Sequence, residues 1–148
     1  MPRYTRSSLF PDVNVWIALT YERHAHHVAA RNWFQALEGE ARLFLCRFTQ
    51  IGFLRLLTNE AVMGRDEVMG QAQAWEAYDR WIEDPRVLFI DEPWDLEPSF
   101  RSMSQSQRPA PKDWADSYLA AFALISEMTL VTFDKGFRAR IRDLIVLR

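Results

Sequence analysis

The 148-residue chain is 49% hydrophobic and 14% aromatic, material for one sizeable core over residues 1–148, and its single cysteine excludes a disulfide-stapled scaffold. No apolar run approaches the ~18 residues of a membrane span, and Met1 to Arg6 leads into no apolar segment of signal-peptide length, so a soluble, cytoplasmic protein without a membrane partner is expected. The net charge of −2 argues against capture of nucleic acid by bulk electrostatics, yet residues 1–100 hold 10 basic against 15 acidic side chains (−5) and residues 101–148 hold 8 against 5 (+3). Within that basic end, Arg101, Arg108, Lys112, Lys135, Arg138, Arg140 and Arg142 are candidates for a phosphate-facing surface, a solvated charged face being the alternative for each.

In chain order, Ser7 to Phe10 is a short strand that Pro11 keeps extended and that ends near Asp12. Val13, Trp16, Ile17 and Leu19 fall at helical spacing, and Val28, Ala29, Trp33, Phe34 and Leu37 mark a second helix before Gly39. Ala41 to Cys46 is a second strand with Cys46 buried. Thr49 is placed to cap a third helix carrying Phe53, Leu54 and Leu57, and Asp66 to start a fourth with Ala74, Tyr78, Trp81 and Ile82, ended by Pro85. Arg86 to Ile90 is a third strand. Ser102 to Pro111, polar with two prolines, reads as a loop. Asp113 to Glu127 is a helix with small residues at Ala115, Ala120, Ala121 and Ala123, followed by strands at Thr129–Thr132 and Leu144–Leu147. Short apolar strands separated by helices imply an α/β fold with a central, mainly parallel sheet of four to five strands covered on both faces.

Ligands of open parallel sheets bind beyond the carboxyl ends of the strands, and aspartates stand there. Asp12 follows the first strand, Asp134 follows the fourth, and Asp116 lies in the first turn of the helix leading into that fourth strand. Carboxylates gathered in a partly apolar cleft repel one another unless a cation compensates, and oxygen ligands without cysteine suit Mg²⁺, or Mn²⁺, better than zinc. Such a metal activates water for displacement at phosphorus, so phosphodiester hydrolysis is the leading chemistry. Taken singly, Asp134 and Asp113 are equally explained as helix N-caps. Asp12 is the only charge between Arg6 and Glu22, and a charge buried in Leu9 to Ile17 needs a partner or a metal.

Four segments taken together, Pro11-Asp12-Val13-Asn14-Val15-Trp16-Ile17-Ala18-Leu19, Thr49-Gln50-Ile51-Gly52-Phe53-Leu54-Arg55-Leu56-Leu57-Thr58, Asp116-Ser117-Tyr118-Leu119-Ala120-Ala121-Phe122-Ala123 and Leu130-Val131-Thr132-Phe133-Asp134, resemble the PIN-domain toxins of the VapC type. Each is loose alone; in this order they span essentially the whole chain. The resemblance implies a three-layer α/β/α PIN fold and a Mg²⁺-dependent endoribonuclease. It also implies the toxin half of a toxin–antitoxin pair: a homodimer acting on structured RNA such as tRNA or rRNA and silenced by an antitoxin segment in its groove. It further implies Asp12, Asp116 and Asp134 as the metal-site acids, with Asn14 and Thr132 as polar supports.

Two departures from that pattern stand out. Gly52 occupies the place where many such enzymes carry a glutamate, and Lys135-Gly136-Phe137 follows Asp134 where a further acid is often found. Asp113 is a candidate for the missing carboxylate, an N-cap role being the alternative. Gln50 and Arg55 are possible RNA or antitoxin contacts on the resemblance alone. His24, His26 and His27 form a cluster in which His24 and His27 could share a helix face and bind a metal, but no cysteine and no histidine beyond these three completes a site, and exposure at the start of the second helix is the simpler reading. Trp33, Phe34, Trp75, Tyr78 and Trp81 at helical spacing read as core or dimer surface rather than a base-stacking platform. An aspartyl-phosphate phosphatase would want an acid two residues after its nucleophile, and Asn14 stands there without a proton to give. A non-catalytic RNA- or protein-binding module is the rival from another class.

Overall fold

Asp12 stands beyond the carboxyl end of the middle strand of a five-stranded sheet, and the rest of the architecture explains why. The computed structural model describes residues 7–148, so the expectation made for Met1 to Arg6 lies outside the described residues. The elements are β1 (Ser8–Pro11), α1 (Val13–Thr20), α2 (His27–Gln35), β2 (Arg42–Leu45), α3 (Arg47–Leu57), α4 (Glu60–Met63), α5 (Gln71–Glu83), β3 (Val87–Phe89), α6 (Leu96–Met103), α7 (Asp113–Ile125), β4 (Thr129–Thr132), a 3-10 helix (Lys135–Ala139) and β5 (Leu144–Val146). The sheet order is β3-β2-β1-β4-β5, and every pairing is parallel. The chain thus builds outward from β1 to β3, then returns to the other side of β1 to add β4. That reversal opens a crevice between the carboxyl ends of β1 and β4, where open α/β sheets bind their ligands.

Because strand side chains alternate, each strand feeds two cores. Leu9, Leu43, Leu45 and Val131 pack with Trp16, Ile17, Phe53, Leu57 and Tyr78 on one face. Phe10 and Leu130 pack with Ala120, Ala121, Phe122, Ala123 and Phe137 on the other. The alanines let α7 approach the sheet closely enough for Phe10 and Phe122 to stack, with centroids 4.9 Å apart. Each such buried aromatic or leucine contributes on the order of 1.5–3 kcal/mol, and Phe10→Ala would cost about 3–5 kcal/mol. Among the described residues no helix is long and apolar enough to cross a membrane.

Several boundaries differ from expectation, each for a local reason. Cys46, not Thr49, occupies the cap position of α3; the Thr49 hydroxyl reaches back to accept the Cys46 N–H at 2.9 Å. Cys46 is buried, which pushes its thiol up. α5 starts at Gln71 rather than Asp66, because α4 ends at Gly64 with φ +81° and the Gly70 N–H is taken by Gln73 Oε1 at 3.1 Å. α6 occupies the stretch before the polar loop and includes Ser102, which the loop was expected to hold. Its Pro98 sits in the first turn, where a missing N–H forfeits no helical bond.

Candidate active site

The crevice is stitched together by short-range chemistry at two strand ends. The Asp12 N–H donates to the Val131 carbonyl at 2.8 Å, tying the end of β1 to β4. The Asp12 side chain then caps α1: Oδ1 accepts the Val13 N–H at 2.7 Å, and Oδ2 accepts the Thr132 hydroxyl at 2.9 Å. The fully buried Thr132 hydroxyl is a hub, accepting Asn14 Nδ2 at 3.3 Å and the Asp134 N–H at 3.0 Å. Asn14 completes the loop by accepting the Phe133 N–H at 3.4 Å. Asn14 and Thr132 therefore hold Asp12 and Asp134 in fixed relation.

The electrostatics place Asp116 at the same crevice. Burial pushes Asp12 up to about 6; the Thr132 and Val13 bonds oppose that rise, and the charges of Asp116 and Asp134 add to it. Asp12 keeps some accessible surface, but protein surrounds most of its carboxyl group. Asp116, in the first turn of α7, is also raised, first by burial and then by Asp134 and Asp113, while the Arg140 guanidinium pulls it down. Asp134 is exposed and caps the 3-10 helix through Oδ1, which accepts the Gly136 N–H at 2.8 Å. A Cβ at Gly136 would lie 3.0 Å from that oxygen, so glycine permits the close approach. For Asp12 and Asp134, capping a helix and facing the crevice are compatible roles.

Asp113 is not the cap of α7. Lys112 holds the cap position of α7, and the Asp113 carboxylate is engaged by Arg140 Nη2 at 2.7 Å. Arg140 Nη1 also donates to the fully buried Ser117 Oγ at 2.9 Å, which in turn donates to the Met103 carbonyl. Arg140 is thus part of the site's framework rather than free surface charge, and Arg101 is paired with Glu97 at 2.7 Å. Ser117 and the positioning role of Arg140 escaped sequence reasoning; the Asp113-to-Ser117 helical spacing was the one available signal.

Gly52 is sterically required. A Cβ built there would lie 2.7 Å from Val13 Cγ2, the β-branched residue that opens α1 beside Asp12. Gln50 is buried, accepting from Arg47 Nη1 at 2.6 Å and bonded to the Tyr78 hydroxyl, so it is not a surface contact. α2 begins at His27, leaving His24 outside the helix; the His26 N–H donates to His24 Nδ1, and His27 Nδ1 lies 2.7 Å from the Ala18 carbonyl. The exposed His26 ring stacks on Phe133 with centroids 4.4 Å apart. Tyr78 is core, and Trp33, Phe34 and Trp81 pack against it, whereas Trp75 is exposed.

Among the described residues, no three of His, Cys, Asp and Glu close in tightly enough for all to hold one ion directly. Mg²⁺ takes one or two carboxylates and fills the rest of its shell with water. The donor set is oxygen-only, and the raised acids are the groups such a charge would relieve.

Residues 9–142 match the family model of the PIN domain. Ribonuclease VapC41 of Mycobacterium tuberculosis is 41% identical over 132 residues, spanning 87% of this chain and 90% of that protein. Ribonuclease VapC38 of the same organism is 29% identical, covering 84% of each. Among solved structures, VapBC2 from Rickettsia felis, bound to a DNA fragment from its promoter, superposes with a TM-score of 0.67 at 14% identity, over 95% of this chain and 99% of that one. VapC20 of Mycobacterium tuberculosis, a Sarcin-Ricin loop cleaving toxin, superposes at 0.63 with 16% identity, over 88% and 93%. At those identities the two structures speak for the fold.

Proposed function

Since the chain belongs to the PIN-domain family, in its VapC ribonuclease branch, we propose that it is the toxin of a toxin–antitoxin pair and hydrolyses RNA with Mg²⁺ or Mn²⁺ held at the crevice of Asp12, Asp116 and Asp134, in part through water. The observation that supports the site assignment is the hydrogen-bond network that joins Asp12 to Asp134 through Thr132 and Asn14 at the β1–β4 crevice, with the charges of Asp116 and Asp134 adding to the rise that burial imposes on Asp12. When bound, the metal supplies Lewis acidity toward the phosphoryl group and the attacking water.

The chain's own residues do the positioning. Thr132 and the Val13 N–H orient both oxygens of Asp12, leaving a lone pair on each for a ligand. Asn14 locks the turn between Thr132 and Asp134, so the two acids keep their spacing as RNA enters. Arg140 moderates Asp116 and favours its anion. Asp113 anchors Arg140 instead of supplying a fourth ligand. A homodimer controlled by a protein antitoxin accords with the family, and RNA is the substrate class. The test is discrete, metal-dependent cleavage of total RNA by antitoxin-free protein, abolished in Asp12→Asn. Metal-independent binding without cleavage would support the non-catalytic reading.

A further inference from the structure

On the β3 side of β1, across α7 from Asp116, the carboxyl edge of the sheet continues into an aromatic shelf. β2 leads into Phe48, and β3 leads into Glu92. The Tyr118 ring stands 5.1 Å from Phe48 and 5.8 Å from Phe100, and the Trp114 ring stands 6.2 Å from Phe100, all as centroid distances. The Tyr118 hydroxyl donates to Glu92 Oε1 at 2.8 Å. Glu92, Phe100, Trp114 and Tyr118 line an open groove of about 610 Å³ between α6 and α7, and Phe48 backs Tyr118. Trp114 is 59% exposed within it and also lines a second depression of about 310 Å³ that holds Arg108 and Ser106. The same helix that carries Asp116 into the crevice thus presents Trp114 and Tyr118 to this groove.

We propose that the groove is a nucleobase subsite: an unpaired base of the RNA, flanking the cleaved segment, stacks on Trp114 with its amino edge toward Glu92 and its phosphate toward Arg108. The proposal rests on the ribonuclease reading and adds the part of the substrate recognised. A nucleotide is an aromatic plane with N–H donors on one edge and an anion at the other end. Trp114 is shared by the two depressions, one of which holds the acceptor-only carboxylate of Glu92 and the other the guanidinium of Arg108, so an exposed indole stands between partners for both ends of a nucleotide. Both depressions fall within the size range of small-molecule sites. Glu97 is paired with Arg101 in the same lining, so Glu92 is the carboxylate left to steer phosphate away from its end of the groove. Cytosine and adenine bring an exocyclic amino donor for the carboxylate, and uracil does not.

The test uses the Asp12→Asn protein, so that binding is read without cleavage. Fluorescence anisotropy measures its affinity for end-labelled single-stranded hexamers of C, A or U, with circular dichroism confirming that each variant is folded. Tighter binding of C and A than of U is expected. Adding Trp114→Ala should weaken every hexamer about five-fold or more, and Glu92→Gln should erase the preference over U. Trp75→Ala, which removes an exposed tryptophan elsewhere, should change nothing. Unchanged affinity on Trp114→Ala, or no hexamer binding by the Asp12→Asn protein, overturns the proposal. So does a Trp114-dependent affinity for an arginine-rich peptide with RNA binding unmoved, which would assign the groove to a protein partner. Cleavage of total RNA by the wild type, run alongside, shows separately whether the ribonuclease reading stands.

Discussion

Replacing Asp12 with asparagine should make the metal-free protein more stable near neutral pH, although the same change removes activity. The Asp12 carboxyl titrates at about 6 in the folded chain against 3.8 without the fold, and the dominant cause is burial. A folded pKa above the unfolded one means that the folded state binds the proton more tightly. Stability therefore falls as pH rises through that window, by about 3 kcal/mol once the group is fully ionised. Asparagine carries no charge but leaves one donor at the Val13 and Thr132 contacts without its acceptor, costing about 1–2 kcal/mol. The net gain for Asp12→Asn is then about 1–2 kcal/mol near pH 7, reversing to a loss near pH 4. Urea unfolding with a chelator present, at both pH values, measures the difference between the two proteins and cancels the titrating groups that do not interact with Asp12. Adding Mg²⁺ should restore the wild type and leave the variant unmoved. A wild-type advantage at neutral pH without metal, or a difference independent of pH, would refute the claim that Asp12 is held there as a strained anion.

Thr132→Val keeps the volume but deprives Asp12, Asn14 and the Asp134 N–H of their shared partner; a loss of about 1–3 kcal/mol in urea unfolding is expected, and Thr132→Ser should recover most of it. Gly52→Ala should destabilise by about 1–3 kcal/mol, because its Cβ would meet Val13 Cγ2 at 2.7 Å; that cost should largely vanish in a Val13→Ala background when thermal unfolding of the double mutant is compared with the singles. By the same contact, Gly52→Glu should not raise the cleavage rate. Arg140→Met removes the cation that pulls Asp116 down, so the acid limb of the pH–rate profile for RNA cleavage should move to higher pH. An unmoved limb would detach Asp116 from the reaction.

Much of the site was legible because the informative signals were local. Asp12 is a lone charge in an apolar run that must end a strand, and Asp134 directly follows another; parallel-sheet topology then brings those ends together. The five strands and the two-sided burial were likewise carried by short apolar runs. What the chain concealed depends on partners far along it. Asp113 has the look of a cap, yet its carboxylate is claimed by Arg140, 27 positions later. Gly52 reads as a missing acid, and only the proximity of Val13 reveals it as a steric requirement. Gln50 reads as a surface contact until Arg47 and Tyr78 are seen to enclose it. α6 was masked by Pro98 and its serines, residues that mark loops except in a first turn.

The central claim is that three aspartates and a divalent cation cut RNA. The most direct measurement incubates purified, antitoxin-free protein with total RNA, with and without Mg²⁺ or Mn²⁺, beside its Asp12→Asn variant. Discrete products that require both the metal and Asp12 are the predicted result. Products of equal yield in the variant, or no products with either metal, would contradict it.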